Sequence, residues 1–268
     1  KEQTSRSVMS QPDPVSLPFT VFTDVAALSA RRSTRWRPGL AAHQGLALHN
    51  EVFASTRESA GCAAALALAL DDARCLPREA GDEAQDRRSV LWVQTREAAR
   101  RVGRPYRAGL PQTLQGRVIH VLAEKAEDAL FALEEGLRCR DLAFVLGEIA
   151  GNPKALDFTA SRRLTLASER HGVPLFLVRL DAARDLSSAR MRWEVASAPS
   201  PAPHWDQRAP GTPRWRAELF RARAHAPGEW VLGEEQGGLM ARKPDEETGE
   251  AAANWAAGLR LRHPLRRA

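Results

Sequence analysis

Between residues 46 and 180, short apolar runs alternate with longer stretches that are alanine-rich or amphipathic. The runs at 46–53, 89–94, 117–123, 142–149 and 173–180 have strand length and few charges, which predicts strands covered on both faces. Between them, 59–76 is rich in Ala and Leu and predicts a helix. A second helix is predicted over Ala126–Arg138, where Ala126, Ala129, Leu130, Leu133 and Leu137 share one face. A third covers 159–171, with Gly172 placed as the left-handed residue just past its end. Continuous strands alternating with helices predict an α/β fold with a mostly parallel sheet flanked by helices.

The pattern then changes. In Arg190-Met191-Arg192-Trp193-Glu194-Val195 and again in Arg214-Trp215-Arg216-Ala217-Glu218-Leu219, apolar residues alternate with charged ones. Period two with one charged face predicts half-exposed strands. A Pro-rich loop at 199–213 separates them, and a third short run follows at 229–233. These read as antiparallel strands appended to the parallel core. From Glu234 the periodicity is lost, and Gly237, Gly238, Pro244 and Asp245-Glu246-Glu247 suggest a linker. The chain therefore divides into an N-terminal arm (1–45), a core domain (46–234) and a disordered basic tail (235–268). The arm carries Pro12, Pro14 and Pro18, and a basic stretch at 31–37.

At 268 residues the chain is long enough for one large domain or two small ones. Its formal net charge is +6, from 39 basic and 33 acidic residues, and only Lys1, Lys125, Lys154 and Lys243 are lysine. So large an arginine excess fits a solvated surface written in arginine, or a nucleic-acid-binding face. Cys62, Cys75 and Cys139 have no CxxC spacing, which excludes a disulfide framework and a thiolate zinc site and points to a reducing cytoplasm. No apolar run reaches the roughly 20 residues of a membrane span. No charged-then-apolar leader opens the sequence, so a secretory signal is not expected. The sequence begins at Lys1 rather than Met, which leaves its natural start open.

Candidate chemistry is sparse. There is no GxGxxG and no GxSxG. His43, His49, His120, His171, His204, His225 and His263 show no metal-ligand spacing, and His120 reads as a hydrogen-bonded core histidine. In a fold of this class, a phosphate would meet the turn after the first core strand. That turn reads Ser55-Thr56-Arg57-Glu58-Ser59-Ala60-Gly61-Cys62. It has one glycine, no lysine, and a carboxylate beside the helix start, so tight ATP binding is disfavoured. Glu148, at the end of the 142–149 run, stands where a magnesium-coordinating acid sits in many nucleotide hydrolases. Without a phosphate loop it reads instead as an exposed strand-end carboxylate. Glu97 is a weaker case of the same kind.

Several ordered segments resemble one family. Leu48-His49-Asn50-Glu51-Val52 resembles a Leu-His-Glu-Val strand with one extra residue. The run at 89–93, followed by Pro105-Tyr106-Arg107-Ala108-Gly109-Leu110, is similar to a second strand and a Tyr-x-x-Gly-Leu segment. The stretch 129–138 resembles a Trp-Ala-x-Glu-Glu-x-Leu-Arg helix, with Phe131 for Trp. The stretch 156–164 resembles Leu-x-Leu-Thr-x-Ser-Arg-Arg-Leu. Met191-Arg192-Trp193-Glu194-Val195, the following 196–200, and 213–219 complete the set. The family is ImuA, RecA-like and related to the SulA division inhibitors, and the resemblance covers about residues 46–233.

The resemblance implies a role in damage-induced mutagenesis. The expected partners are ImuB, a polymerase-like protein, and an error-prone DNA polymerase III alpha subunit, with RecA filaments and DNA secondary. It implies a cytoplasmic protein that joins the nucleoid during DNA damage. No cofactor is expected, and ATP with magnesium is disfavoured by the turn. The reading is a non-catalytic RecA-like adaptor of translesion synthesis. The alternatives are a RecA-like ATPase with a non-standard loop, a SulA-like division inhibitor, and a DNA-binding protein acting without ImuB.

Candidate DNA or partner contacts are arginines. Arg162 and Arg163 near a helix start oppose its dipole, which calls for an anionic partner, either Asp157 or a phosphate. Arg190 and Arg192 share a strand face with Glu194, as Arg214 and Arg216 do with Glu218. Cross-strand Arg–Glu pairs or an arginine stripe for weak DNA binding are the two outcomes.

Overall fold

The computed structural model describes residues 48–58, 60–75, 86–203, 205–206, 208–223, 226–235 and 238–244. The expected arm, the basic stretch at 31–37 and the chain from 245 onward lie outside them. In chain order the elements are β1 (His49–Ala54), α1 (Ala60–Cys75), β2 (Ser89–Thr95), α2 (Arg96–Val102), β3 (Val118–Ala123), α3 (Ala126–Arg138), β4 (Leu142–Ala150), α4 (Phe158–His171) and β5 (Leu175–Leu180). Strands β6 (Met191–Ala198), β7 (Arg214–Ala222), β8 (Gly228–Glu235) and β9 (Gly238–Arg242) follow.

All the described strands form one sheet in the order β3-β2-β4-β5-β1-β6-β7-β8-β9. The ladders from β3 to β6 are parallel, and those from β6 to β9 are antiparallel. This is the mixed α/β architecture expected from the apolar runs and the later period-two segments. Strands β1, β4 and β5 lie in the middle and are buried almost end to end; β4 and β5 are accordingly apolar apart from Glu148 and Arg179, whereas β1 carries His49, Asn50 and Glu51 into the interior.

Helices α1 and α2 follow connections that run toward β3, and both pack on one face with Val52, Phe176, Val178 and Trp193. Helices α3 and α4 follow connections that run back, and both pack on the other face with Val145, Leu175 and Leu177. Reversing direction and changing face together keeps every crossover of one hand, as parallel sheets require.

Local sequence sets the helix ends. Asp157 caps α4 by accepting the Ala160 N–H at 2.7 Å. Gly172, at φ 72°, closes it by donating to Ser168 O at 2.9 Å. Thr95 caps α2, which the hydrophobic pattern does not reveal because only Ala98 of its seven residues is buried. The expected linker after Glu234 is in part a strand. β9 pairs Leu239 with Glu234 and Ala241 with Leu232, and Leu239 is 4% exposed against the same core as Leu232. Its five residues are too short for alternation to stand out beside glycine.

Candidate functional site

The carboxyl ends of β1, β4 and β5 meet the turn at 55–58, the position where this class of sheet receives a phosphate. Here the turn is occupied by the chain itself. Asp181, the residue after β5, sits at φ 49° and is tied back by its own N–H to Ala54 O at 2.9 Å. Its carboxylate accepts the Thr56 N–H at 3.0 Å and the Thr56 hydroxyl, with Arg101 Nη1 at 3.4 Å. Burial alone would raise the Asp181 carboxyl. The bonds from Thr56 and Arg101 outweigh it and hold the group below the usual carboxylate range. An anionic side chain is therefore bonded to the turn itself.

The rest of the turn is also committed. Ser55 Oγ accepts the Arg57 N–H at 3.2 Å, while Arg57's own side chain is exposed. Glu58 reaches across to β6, where it accepts the Ser197 N–H at 2.7 Å. Ser59 lies outside the described residues. Ala60 is buried at the start of α1. Gly61 serves packing: a Cβ built there would stand 2.5 Å from Ala54 Cβ and 3.2 Å from Val178 Cγ1. Gly61→Ala should cost about 1–3 kcal/mol by overpacking, read as a lower urea midpoint.

Beneath the turn lies a buried acid. Glu148 is 1% exposed, which corrects its reading as an exposed strand-end carboxylate. Its Oε1 accepts Trp92 Nε1 at 2.6 Å and Cys62 Sγ at 3.3 Å, and its Oε2 accepts Gln94 Nε2 at 3.2 Å. Burial pushes the Glu148 carboxyl up, against these bonds. Burial, then the neighbouring carboxylate, pushes the Cys62 thiol up as well, so the cysteine is a weak nucleophile. Both carboxylate oxygens are engaged by protein donors. Glu148→Gln should cost only about 1 kcal/mol, because Gln94 can turn its unpartnered Oε1 toward the new amide nitrogen, whereas Glu148→Ala should lose about 1–3 kcal/mol by leaving Trp92 Nε1 without its acceptor. Thermal melts at neutral pH would separate the two. Glu97 lies instead on the exposed side of α2, bonded to Arg101 at 2.8 Å.

The opposite face of β1 carries a second polar cluster. Glu51, fully buried, accepts Arg192 Nε at 2.7 Å and the Ser187 hydroxyl at 2.8 Å, with Arg179 Nη1 at 3.8 Å. Arg179 and Arg192 both lie over the Phe53 ring, at 5.6 and 5.1 Å. His49 Nδ1 meets Thr165 Oγ1 at 2.7 Å, and Thr165 also contacts Ser188 at 2.6 Å. Ser161 holds Ser187 and Ser188 at 2.9 and 3.1 Å. Two segments that resemble the family motifs, at 48–52 and 156–164, are thus joined here, and they hold down the 181–190 connection between β5 and β6.

The arginine candidates are dispersed. Arg192 is 2% exposed and bound to Glu51, so its reading as a DNA contact is corrected. Arg190 bonds Glu169 at 2.6 Å. Arg163 pairs with Glu134 of α3 at 2.7 Å rather than with Asp157, and Arg162 is exposed on α4. Arg216 pairs with Glu229 of β8 at 3.1 Å, and Arg214 is half-buried at the start of β7. Across β6 and β7, charges of like sign stand opposite one another. Register sets Glu194 opposite Glu218, and Arg184 bridges both. His120 is half-buried, and its Nε2 has no hydrogen-bond partner, contrary to the expected core histidine.

Sequence reasoning missed Asp181 and Arg101. The signal for Asp181 was its place directly after an apolar run. Among the described residues no cluster of three or more His, Cys, Asp or Glu could hold a metal, and no helix is long and apolar enough to cross a membrane.

No family model matches the chain. It is similar to Protein ImuA from two strains of Caulobacter vibrioides, each 36% identical over 154 residues. The matches cover 51% of this chain and 61% of each relative, so the chain spans about three fifths of the relatives' length. Over about half of its length the chain therefore resembles Protein ImuA.

Proposed function

We propose that this chain is a non-catalytic accessory of inducible, damage-induced mutagenesis, working as a RecA-like adaptor for error-prone translesion synthesis. It would act in the cytoplasm and at damaged nucleoids. Its partners would be ImuB and an error-prone DNA polymerase III alpha subunit, with RecA and DNA secondary. The similarity to Protein ImuA supports the mutagenesis setting.

The observation that carries the non-catalytic part is the Asp181 carboxylate bonded to Thr56 in the turn. A triphosphate placed there would meet Asp181 and, close by, Glu58. Like charges at such separations cost several kcal/mol outside water, on the order given by Coulomb's law.

The test is a pull-down from DNA-damaged cells, with the full chain and with a version ending at Pro244 as baits. The shorter bait keeps β9, which completes the sheet. Recovery of ImuB and the polymerase with the full chain is expected, and loss on shortening would place the contact beyond Pro244. Recovery of neither, by either bait, would overturn the adaptor reading.

A further inference from the structure

From 98 to 123 the chain carries five arginines and His120 but no acid. Three of these arginines are taken up locally. Arg100 and Arg101 turn back to Glu97, at 3.8 and 2.8 Å. Arg117 donates to Arg88 O at 3.0 Å and to Thr113 O at 2.8 Å. Arg104 and Arg107 are exposed near His120, and neither makes an ion pair with a described residue. His120 Nε2 is shut off from water and has no hydrogen-bond partner among the described residues. Burial, then Arg104 and Arg107, lowers the His120 pKa, so the ring stays neutral beside two cations.

Next to these groups lies a recess of about 360 Å³. Arg107 and Gln115 line it together with Leu110, Leu114, Gly116 and Val118. Gln115 gives one amide N–H to Leu110 O at 3.1 Å and keeps the other. Gly116 turns at φ 79°, and a Cβ built on it would meet nothing within 4 Å, so the recess is open there. His120, two residues beyond Val118, faces the same side of β3. Val118 begins β3, so the recess lies at the amino end of its strand, whereas the turn at 55–58 follows the carboxyl end of β1. The two are separate places on the sheet.

We propose that this recess binds a phosphate monoester, held by Arg104 and Arg107 with the free Gln115 amide N–H as a further donor. Near neutral pH a monoester carries close to two negative charges and three acceptor oxygens, which match two guanidinium forks. A carboxylate or a phosphodiester brings one charge. A water takes up about 30 Å³ in the liquid, so the recess has room for a phosphate and the sugar that carries it. Such a group arrives on a free sugar phosphate or at the 5′ end of a DNA strand. Magnesium-bound ATP fits less well, because the metal already draws on its outer phosphate oxygens. The site stands on 98–123 alone, so it and the adaptor reading can fail separately.

The test titrates the full chain, in phosphate-free buffer, with ribose 5-phosphate. Binding is followed by NMR through the His120 ring protons, which His120→Gln assigns. Saturable shifts are expected, with a rise in the pH at which His120 titrates, because the bound anion offsets the two cations. R104Q/R107Q should weaken binding about tenfold or more through lost charge-assisted bonds. It should keep the parent urea midpoint, since both side chains are exposed. Arg162→Gln, on the exposed side of α4, should change nothing. A thymidine hexanucleotide with and without a 5′ phosphate separates the two sources. Binding that is tighter than that of ribose 5-phosphate and needs the 5′ phosphate assigns the site to a strand end. Weaker binding assigns it to a free sugar phosphate. Equal binding of ribose and ribose 5-phosphate, an unmoved His120, or full affinity in R104Q/R107Q would overturn the proposal. So would tighter binding of both hexanucleotides alike, which marks a general basic surface.

Discussion

Glu51→Ala should remove about 3–5 kcal/mol of folding stability, the largest loss expected of any single substitution in this protein. The reason is charge, not volume. Glu51 is the buried carboxylate that faces both Arg192 and Arg179, each no more than 2% exposed. Without it, two guanidiniums stay in the core and, among the described residues, Asp185 at 3.7 Å from Arg179 is the one acid left beside them. The apolar double variant E51L/R192M should lose much less, because it removes an anion and a cation together. Urea denaturation of the three proteins decides the matter. Equal losses in the single and double variants would show that packing, not unpaired charge, sets the cost.

The second large effect is on pH. Burial, with help from Arg190 and Arg192 and against Glu51 and Glu169, lowers the His49 pKa from 6.5 to about 4. Between those values the unfolded chain binds a proton that the folded chain refuses. The stability carried by neutral His49 is therefore complete above pH 6.5 and is lost as the pH falls toward 4. The loss should reach about 3 kcal/mol at pH 4. His49→Gln should start less stable at pH 7.5 but fall less between pH 6.5 and 4. Urea midpoints across that range, compared with the parent, check the slope. A parent and variant that fall in parallel would assign the acid limb to other groups.

Much of the architecture was legible because the chain is locally consistent. Leu142–Ala150 and Leu175–Leu180 are apolar but for Glu148 and Arg179 because they lie in mid-sheet, and Ala126–Arg138 shows its buried face at helical spacing. Short elements were not legible. Helix α2 hides because it buries one alanine, and β9 because it has five residues.

The polar clusters were read less well, for a physical reason. Alternation tells which side of a strand a residue faces but not whether that side is covered. Arg192 and Arg216 sit on the same face of adjacent strands, yet Arg192 is buried over Phe53 while Arg216 reaches Glu229 on the next strand. Asp181 drew no notice because its partner, Thr56, is 125 residues away in sequence. The family-like segments at 48–52 and 156–164 were recognisable as strings. Only the fold shows that His49, Glu51, Ser161 and Thr165 are brought together with Ser187 and Ser188.

With Asp181 bonded to Thr56 in the phosphate turn, the proposed adaptor should work without nucleotide. Equilibrium titration of the full chain with a fluorescent ATP analogue and magnesium tests it most directly. No saturable binding is expected up to millimolar nucleotide. Saturable micromolar binding, displaced by unlabelled ATP and accompanied by turnover, would contradict it, because Asp181 would then have to leave Thr56 to admit a phosphate.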